Sequence, residues 1–298
     1  MDMTPIAVIE QQTDFYNLIE TLEQASHISV DTESNSFYAY YNKICLIQVS
    51  TESHDYIIDP FALGDLTEFG RVLSNPGIEK IFHAAPNDIA GLRRDFKFKV
   101  ENIFDTSIAA KVLGYRQLGL ARILNEHFGV SLNKKWQRYD WGKRPLRQEQ
   151  LDYARLDTHY LLPLRHRLAA ELQAKDLWES AREAFGKVCE QVIHEKNFRP
   201  GDFLHICGAQ SLDVEGKRVL KALYLFRENE ARRRDRAPFR ILTNETLLRL
   251  ALQRPKSIQD FSKIKGIPRT YNNSRAAFSL LEVIRKNEGH GEDAAFQR

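Results

Sequence analysis

Four carboxylates and one phenol hold the chemistry this sequence offers. Asp31 and Glu33 stand one residue apart in "ISVDTESNS" (Ile28 to Ser36), where an apolar run that reads as a strand gives out. Residues i and i+2 of a strand share a face, so two like charges lie side by side. Asp88, in "IFHAAPNDIAGL", falls on the first turn of a predicted helix just after a predicted strand. Tyr153 and Asp157, in "LDYARLDTHYLLPL", have the four-residue spacing that stacks two side chains on one helix face. Each alone reads as a cap, a salt-bridge partner or a surface pair. As a set they read differently, because same-face carboxylates repel unless cations or hydrogen bonds neutralise them. Mg²⁺ and Mn²⁺ favour carboxylate oxygen and leave room for water and a substrate phosphate. Four carboxylates from three segments suit two such ions roughly 4 Å apart, the arrangement used for in-line phosphoryl displacement. A tyrosine one turn from a ligand would orient the attacking water.

That chemistry requires a scaffold that brings three distant segments together. After a helix-like stretch at 14–24, the Ile- and Val-rich segments "HISVDTE", "KICLIQVS" and "DYIIDP" follow closely, which predicts an antiparallel meander. A helix at 63–73, a strand "EKIFHA", a helix at 86–94, a short strand "ENIFD" and a helix at 106–113 come next. This alternation adds parallel strands to the meander, giving a mixed sheet flanked by helices. From Gly114 onward the pattern is helical, and "NFRPGDF" (Asn197 to Phe203) has the punctuation of a connection. In "TNETLLRLAL", Thr243 or Asn244 is the expected N-cap, with Glu245 in the first turn.

The chain has 298 residues, long enough for about two domains, and its 43% hydrophobic content is ample for packed cores. No apolar run approaches a membrane span of roughly 18 residues. The segment "MDMTPIAVIEQQTD" has neither the basic nor the apolar region of a signal peptide. Cys45, Cys189 and Cys207 are scattered without a CxxC pair, which argues against zinc and a disulfide framework and suits a reducing cytoplasm. Residues 213–298 carry a net charge of +8 and residues 1–212 a net −5. An acidic body with a basic tail points to a polyanionic partner.

The set "VDTE", "HAAPND" and "YARLD" resembles the three motifs of the DEDDy 3′→5′ exonucleases, whose fold is ribonuclease H-like. "CLIQVS", "FDTSIAAKVLG" and "QRYDWGKRPLRQEQLDYARLDTHYLLPL" are similar to ribonuclease D over nearly all of residues 25 to 168. The tail, with "LYLFRENEARRRDRAPFRIL" and "IKGI", resembles the helical HRDC domain shared by RecQ-type helicases and ribonuclease D. The resemblance implies an α/β fold, a ribonuclease H-like mixed sheet flanked by helices, with a second small all-α domain. The expected division is an exonuclease domain at 1–170, a helical connector at 171–212 and an HRDC-like domain at 213–298. Some bacterial relatives carry two such helical modules, and this chain has room for one.

Carried over residue by residue, the resemblance implies Asp31, Glu33, Asp88 and Asp157 as ligands of two divalent metal ions, Mg²⁺ or Mn²⁺. Tyr153 takes the place of the water-positioning tyrosine. His83 is the histidine of the second motif, expected beside the substrate in a hydrogen-bonded orienting role, and Asp105 is read as structural. Between Lys134 and Arg147 six basic residues alternate with Trp136, Tyr139 and Trp141, a combination that neutralises phosphates and stacks unpaired bases. Lys134, Trp136, Gln137 and Arg144 are therefore candidate RNA contacts, and Phe37 a candidate wedge against the 3′-terminal base. A solvated loop anchored by its tryptophans is the plainer reading. In the tail, Arg232, Arg233, Arg234, Arg236 and Arg240 are either a soluble helix end or phosphate contacts, and Tyr224 and Phe226 are assigned to the core.

The expected activity is metal-dependent 3′→5′ trimming of small structured RNAs such as tRNA precursors, releasing nucleoside 5′-monophosphates. The expected state is a cytoplasmic monomer. A DNA 3′→5′ exonuclease of Werner type shares the same motifs, and a non-catalytic nucleic-acid-binding module is the remaining alternative.

Overall fold

The computed structural model describes residues 6–190, 198–271 and 275–288. Within them the chain forms two compact units.

The first unit comprises residues 1–35 and 42–194. Its six-stranded sheet is built from β1 (Ile6–Ile9), β2 (His27–Ser34), β3 (Ile44–Ser50), β4 (Asp55–Ile58), β5 (Glu79–Phe82) and β6 (Ile103–Asp105). The strand order is β1-β4-β3-β2-β5-β6. β2, β3 and β4 form the predicted antiparallel meander, and β5 and β6 extend it in parallel from β2. The strand β1, not anticipated from sequence, pairs in parallel with β4 at the other edge.

Around the sheet lie α1 (Gln12–Glu23), α2 (Thr67–Ser74), α3 (Pro86–Phe96), α4 (Thr106–Val112), α5 (Leu120–Phe128), α6 (Gln148–His159), α7 (Leu161–Ala174) and α8 (Trp178–Glu190). α2 starts four residues later than the expected helix at 63–73. One sheet face packs Ile28, Val30, Ile47, Val49 and Ile58 into the main core with helix residues such as Phe15 and Leu22 of α1 and Leu164 and Leu168 of α7. Leu46 and Ile57, which point the other way, pack with Leu151 and Ala154 of α6 and with Trp141. Alternation along β2 and β3 thus seats α6 on the face that carries Asp31 and Glu33.

The second unit comprises residues 36–41 and 195–298. It contains α9 (Val214–Arg234), α10 (Pro238–Ile241), α11 (Asn244–Gln253) and α12 (Arg275–Lys286) around Leu220, Leu223, Leu247, Leu250, Phe261 and Leu280. Asp213 caps α9 by accepting from the Gly216 N–H at 2.6 Å. Thr243 is the N-cap of α11 and accepts from the Thr246 N–H at 3.1 Å. Tyr224 and Phe226 pack against this core. Residues 36–41 leave the first unit's chain to join it: the Tyr40 and Tyr41 N–H groups donate to Asp235 Oδ1 at 3.0 and 2.9 Å, and the Tyr40 hydroxyl donates to Glu228.

These boundaries correct the expected division. Residues 171–190 complete α7 and supply α8, whose Phe185 and Val188 belong to the main core, so no separate connector exists there. The division falls within 191–197, and Asn197 of the expected connection lies outside the described residues. Among the described residues no helix is long and apolar enough to cross a membrane. Cys45, Cys189 and Cys207 are unpaired.

Candidate active site

Strand lengths place the carboxylates. β5 pairs with β2 only as far as Ser29 opposite Ile81 and stops at Phe82. Asp31 and Glu33 therefore project past the end of β5, beside the turn that opens α3. The β2–β3 register shifts between Glu33 and Ser34, which ends the regular strand immediately after the pair.

That turn is held by a buried carboxylate. Ala84 adopts φ +61, a left-handed conformation that costs energy in a residue with a Cβ. Asp105, fully buried at the N-terminus of α4, accepts from the N–H groups of Ala84 (3.0 Å), Ala85 (2.8 Å), Ser107 (2.8 Å) and Ile108 (3.1 Å). One side chain thus caps α4 and fixes the start of α3, which sets where Asp88 points. Asp88 is buried, and its Oδ1 accepts from the Thr32 N–H at 3.1 Å and hydroxyl at 2.6 Å. α3 is thereby tied to the residue between Asp31 and Glu33.

α6 brings the third segment. Its Arg155 and His159 face Asp55 of β4, at 3.9 Å and 2.8 Å, and Ser50 Oγ donates to Asp55 at 2.7 Å. Burial alone would raise Asp55, but the hydrogen bonds from His159 and Ser50 and the charges of His159 and Arg155 outweigh it and hold the carboxyl below its ordinary value. Tyr153 stacks on Trp141 at 6.0 Å, and Trp141 is buried. Tyr139 meets both Trp141 and Trp136 edge-on, at 5.4 and 5.2 Å.

The four carboxylates act on one another. Burial, then the charges of Asp88, Asp157 and Glu33, push Asp31 well above the ordinary carboxylate value despite a hydrogen bond from the Thr32 N–H. Glu33 is raised by burial and by Asp157 and Asp88. Asp157 is pushed up to about 7 by burial and Asp88, and Asp88 to about 6, mainly by burial, against its bonds from Thr32. Burial and the charges of Asp157, Glu33 and Asp31 raise Tyr153, so its hydroxyl keeps its proton.

Among the described residues, no three such side chains converge closely enough to enclose one ion as they stand. The donor set nonetheless fits a hard divalent cation. It is all carboxylate oxygen, and positive charge would relieve the repulsion that raises its pKa values.

Beside this set runs a groove of ≈ 790 Å³, lined by Tyr153, Asp157, His83, Lys134, Trp136 and Gln137 among others. His83 Nδ1 lies 2.9 Å from Thr106 Oγ1, and burial lowers its pKa. Lys135 sits over the Trp136 ring at 4.7 Å and pairs with Glu149 at 3.3 Å.

One expected substrate contact is engaged within the fold. Arg144 is a clamp within the fold: it grips Asp59 through Nε and Nη2 and donates to the carbonyls of Trp141, Lys143 and Cys45 at 2.8 to 2.9 Å. Its guanidinium is committed to one carboxylate and three carbonyls. Phe37 belongs to the second unit, where it meets Phe239 edge-on at 6.4 Å. The tail arginines are also engaged, Arg232 with Glu228, Arg233 and Arg234 with Glu230, and Arg240 with the Phe37 carbonyl.

Comparison with known proteins bears on the whole chain. Residues 6–173 match a family model described as 3′-5′ exonuclease, and residues 216–284 match the HRDC domain. Protein RRP6-like 2 of Arabidopsis thaliana is 31% identical over 303 residues, which covers 97% of this chain and 35% of that protein. The chain thus spans about a third of the length of this curated relative. The catalytic core of RRP6 from Trypanosoma brucei superposes with a TM-score of 0.87 at 27% identity, over 95% of this chain and 80% of that one. Escherichia coli RNase D, described as an exoribonuclease involved in structured RNA processing, superposes with a TM-score of 0.71 at 27% identity, over 99% and 77%.

Proposed function

Since this chain belongs to the 3′-5′ exonuclease family and carries an HRDC domain behind the nuclease fold, we propose that it is a metal-dependent 3′→5′ exoribonuclease. It removes nucleotides from the 3′ ends of small structured RNAs, with tRNA precursors as the leading class, and releases nucleoside 5′-monophosphates. The observation that carries this reading is a set of four carboxylates whose charges act on one another, of which Asp157 lines a groove shared with Lys134, Trp136 and Gln137.

Asp31, Glu33, Asp88 and Asp157 would hold the cations, two Mg²⁺ or Mn²⁺ being the number that suits four carboxylates from three segments. Bound there, divalent ions supply the positive charge that the phosphodiester transition state needs. Tyr153, a phenol held against Trp141, donates its hydroxyl proton in a hydrogen bond and orients the attacking water. Lys134 meets backbone phosphate, and the Trp136 face takes an unpaired base. Three unpaired thiols support action in a reducing compartment.

The test is Mg²⁺- or Mn²⁺-dependent shortening of a 5′-labelled RNA and of a DNA of the same sequence, by wild type and Asp31→Asn. Wild type should shorten RNA from the 3′ end, and Asp31→Asn should lose at least ~10²-fold in rate, the scale on which removal of one electrostatic partner is felt. Equal rates for the two proteins would sink the assignment. Faster cleavage of DNA would move the substrate from RNA to DNA.

A further inference from the structure

The floor beneath α6 holds a polar residue with no partner. Gln48 of β3 is fully buried, at 0% exposure, yet neither its amide nitrogen nor its amide oxygen makes a hydrogen bond within the protein. Ser29, two residues before Asp31, is equally buried and its hydroxyl is likewise unpartnered. A buried amide left without a partner is costly, on the scale of the desolvation it suffers, and calls for a reason.

Register supplies one. Gln48 is the direct cross-strand partner of Asp31. Direct partners in an antiparallel pair point to the same face, with Cβ atoms about 4.5–5.5 Å apart. The opposite neighbour of Gln48 is Ile57 of β4, and Ile57, Leu46, Leu151 and Ala154 form the apolar patch around it. The same face also carries Ser50 and Asp55, but these are bonded to one another and to Thr158 and His159 of α6. The carboxylate of Asp31 is the ionisable group directly across the strand pair from Gln48.

We propose that Gln48 is a positioning residue of the carboxylate site. Its amide donates from Nε2 to Asp31 when that carboxylate is ionised, and so fixes the direction in which Asp31 presents its oxygens to a divalent cation. Among donors, a carboxamide suits this place. It adds no negative charge to four carboxylates and, unlike Lys or Arg, adds no fixed positive charge to compete with the cation. This rests on the reading of the site as a cation site.

The experiment measures Mn²⁺ binding calorimetrically to the full chain as wild type, Gln48→Leu, Gln48→Met and Asp31→Asn, together with the metal-free melting temperature. Steady-state trimming of RNA gives kcat and KM. Removing the partner of a ligand typically weakens metal binding 10- to 100-fold. Both Gln48 variants should therefore bind Mn²⁺ at least tenfold more weakly. They should melt at or above the wild-type temperature without metal, because a buried unpartnered amide is gone. They should lose kcat with KM unchanged. Wild-type Mn²⁺ affinity in either folded variant overturns the proposal. If neither variant folds, the Gln48 side-chain amide resonance of the wild type decides: it should shift on Mg²⁺ addition, and a resonance that stays put overturns the proposal. Wild type that binds no Mn²⁺ sinks the cation reading itself, an outcome distinct from equal binding by wild type and variants.

Discussion

Asp31 and its three companions make the folded protein pay for its own charge. A carboxyl whose folded pKa is raised binds its proton more tightly folded than unfolded. Its contribution is fully present below the unfolded value of about 4 and is lost as pH rises through the folded value. With Asp88 at about 6 and Asp157 at about 7, that window runs from about pH 4 to 7. Asp31→Asn should therefore raise the melting temperature of the metal-free protein at pH 8, by roughly 2–4 °C for each ~1 kcal/mol relieved, with little effect at pH 4. Mg²⁺ should stabilise wild type at pH 8 and Asp31→Asn less, by thermal melting. Tyr153→Phe keeps the ring on Trp141 and removes only the hydroxyl; kcat should fall by ~10²-fold or more at an unchanged melting temperature. Arg144 answers a different measurement. Arg144→Ala leaves Asp59 buried without its partner, and chemical denaturation should show a loss of about 2–3 kcal/mol, discounted because the guanidinium is a quarter exposed.

At the scale of elements, α3 is the helix whose placement decides the site, and Asp105 decides α3. Asp105→Ala removes the acceptor of four backbone N–H groups and should cost about 3 kcal/mol or more by denaturant unfolding. Much of this architecture was legible. β2, β3 and β4 announced themselves by Ile/Val runs with short polar connections, and α11 by its Thr243 cap. The carboxylates were legible because Asp31 and Glu33 stand one residue apart on a strand, Asp88 falls on the first turn of α3, and Asp157 lies one helical turn from Tyr153. β1 escaped because "IAVI" is four residues long and its partner, Asp55–Ile58, lies some fifty residues away. A local pattern does not encode a parallel partner. Arg144 was misread for a related reason. An arginine beside tryptophans looks the same in sequence whether it meets phosphate or the carboxylate of Asp59, eighty-five residues back.

At the scale of the whole molecule, the sequence order of the two units is not their structural order. Linear reading divides the chain into consecutive stretches, because composition and charge change along it; residues 36–41 carry no such change and were read with their neighbours. Their partners, Glu228, Asp235 and Arg240, sit nearly two hundred residues away. A fragment ending at 190 should keep the sheet core yet leave these six residues without the hydrogen bonds that hold them. Limited proteolysis should then cut within 36–41 at least tenfold faster than in the full chain.

The same six residues bear on how such proteins are recombined. Exchanging the helical tail between two relatives at a single junction near 195 would install a foreign α9 opposite a native Tyr40, and the hydroxyl that expects Glu228 and the amides that expect Asp235 would meet whatever the donor supplies. A working chimera needs two crossovers, with the hexapeptide travelling alongside the tail it belongs to. The helical unit is one body written in two separate pieces of sequence.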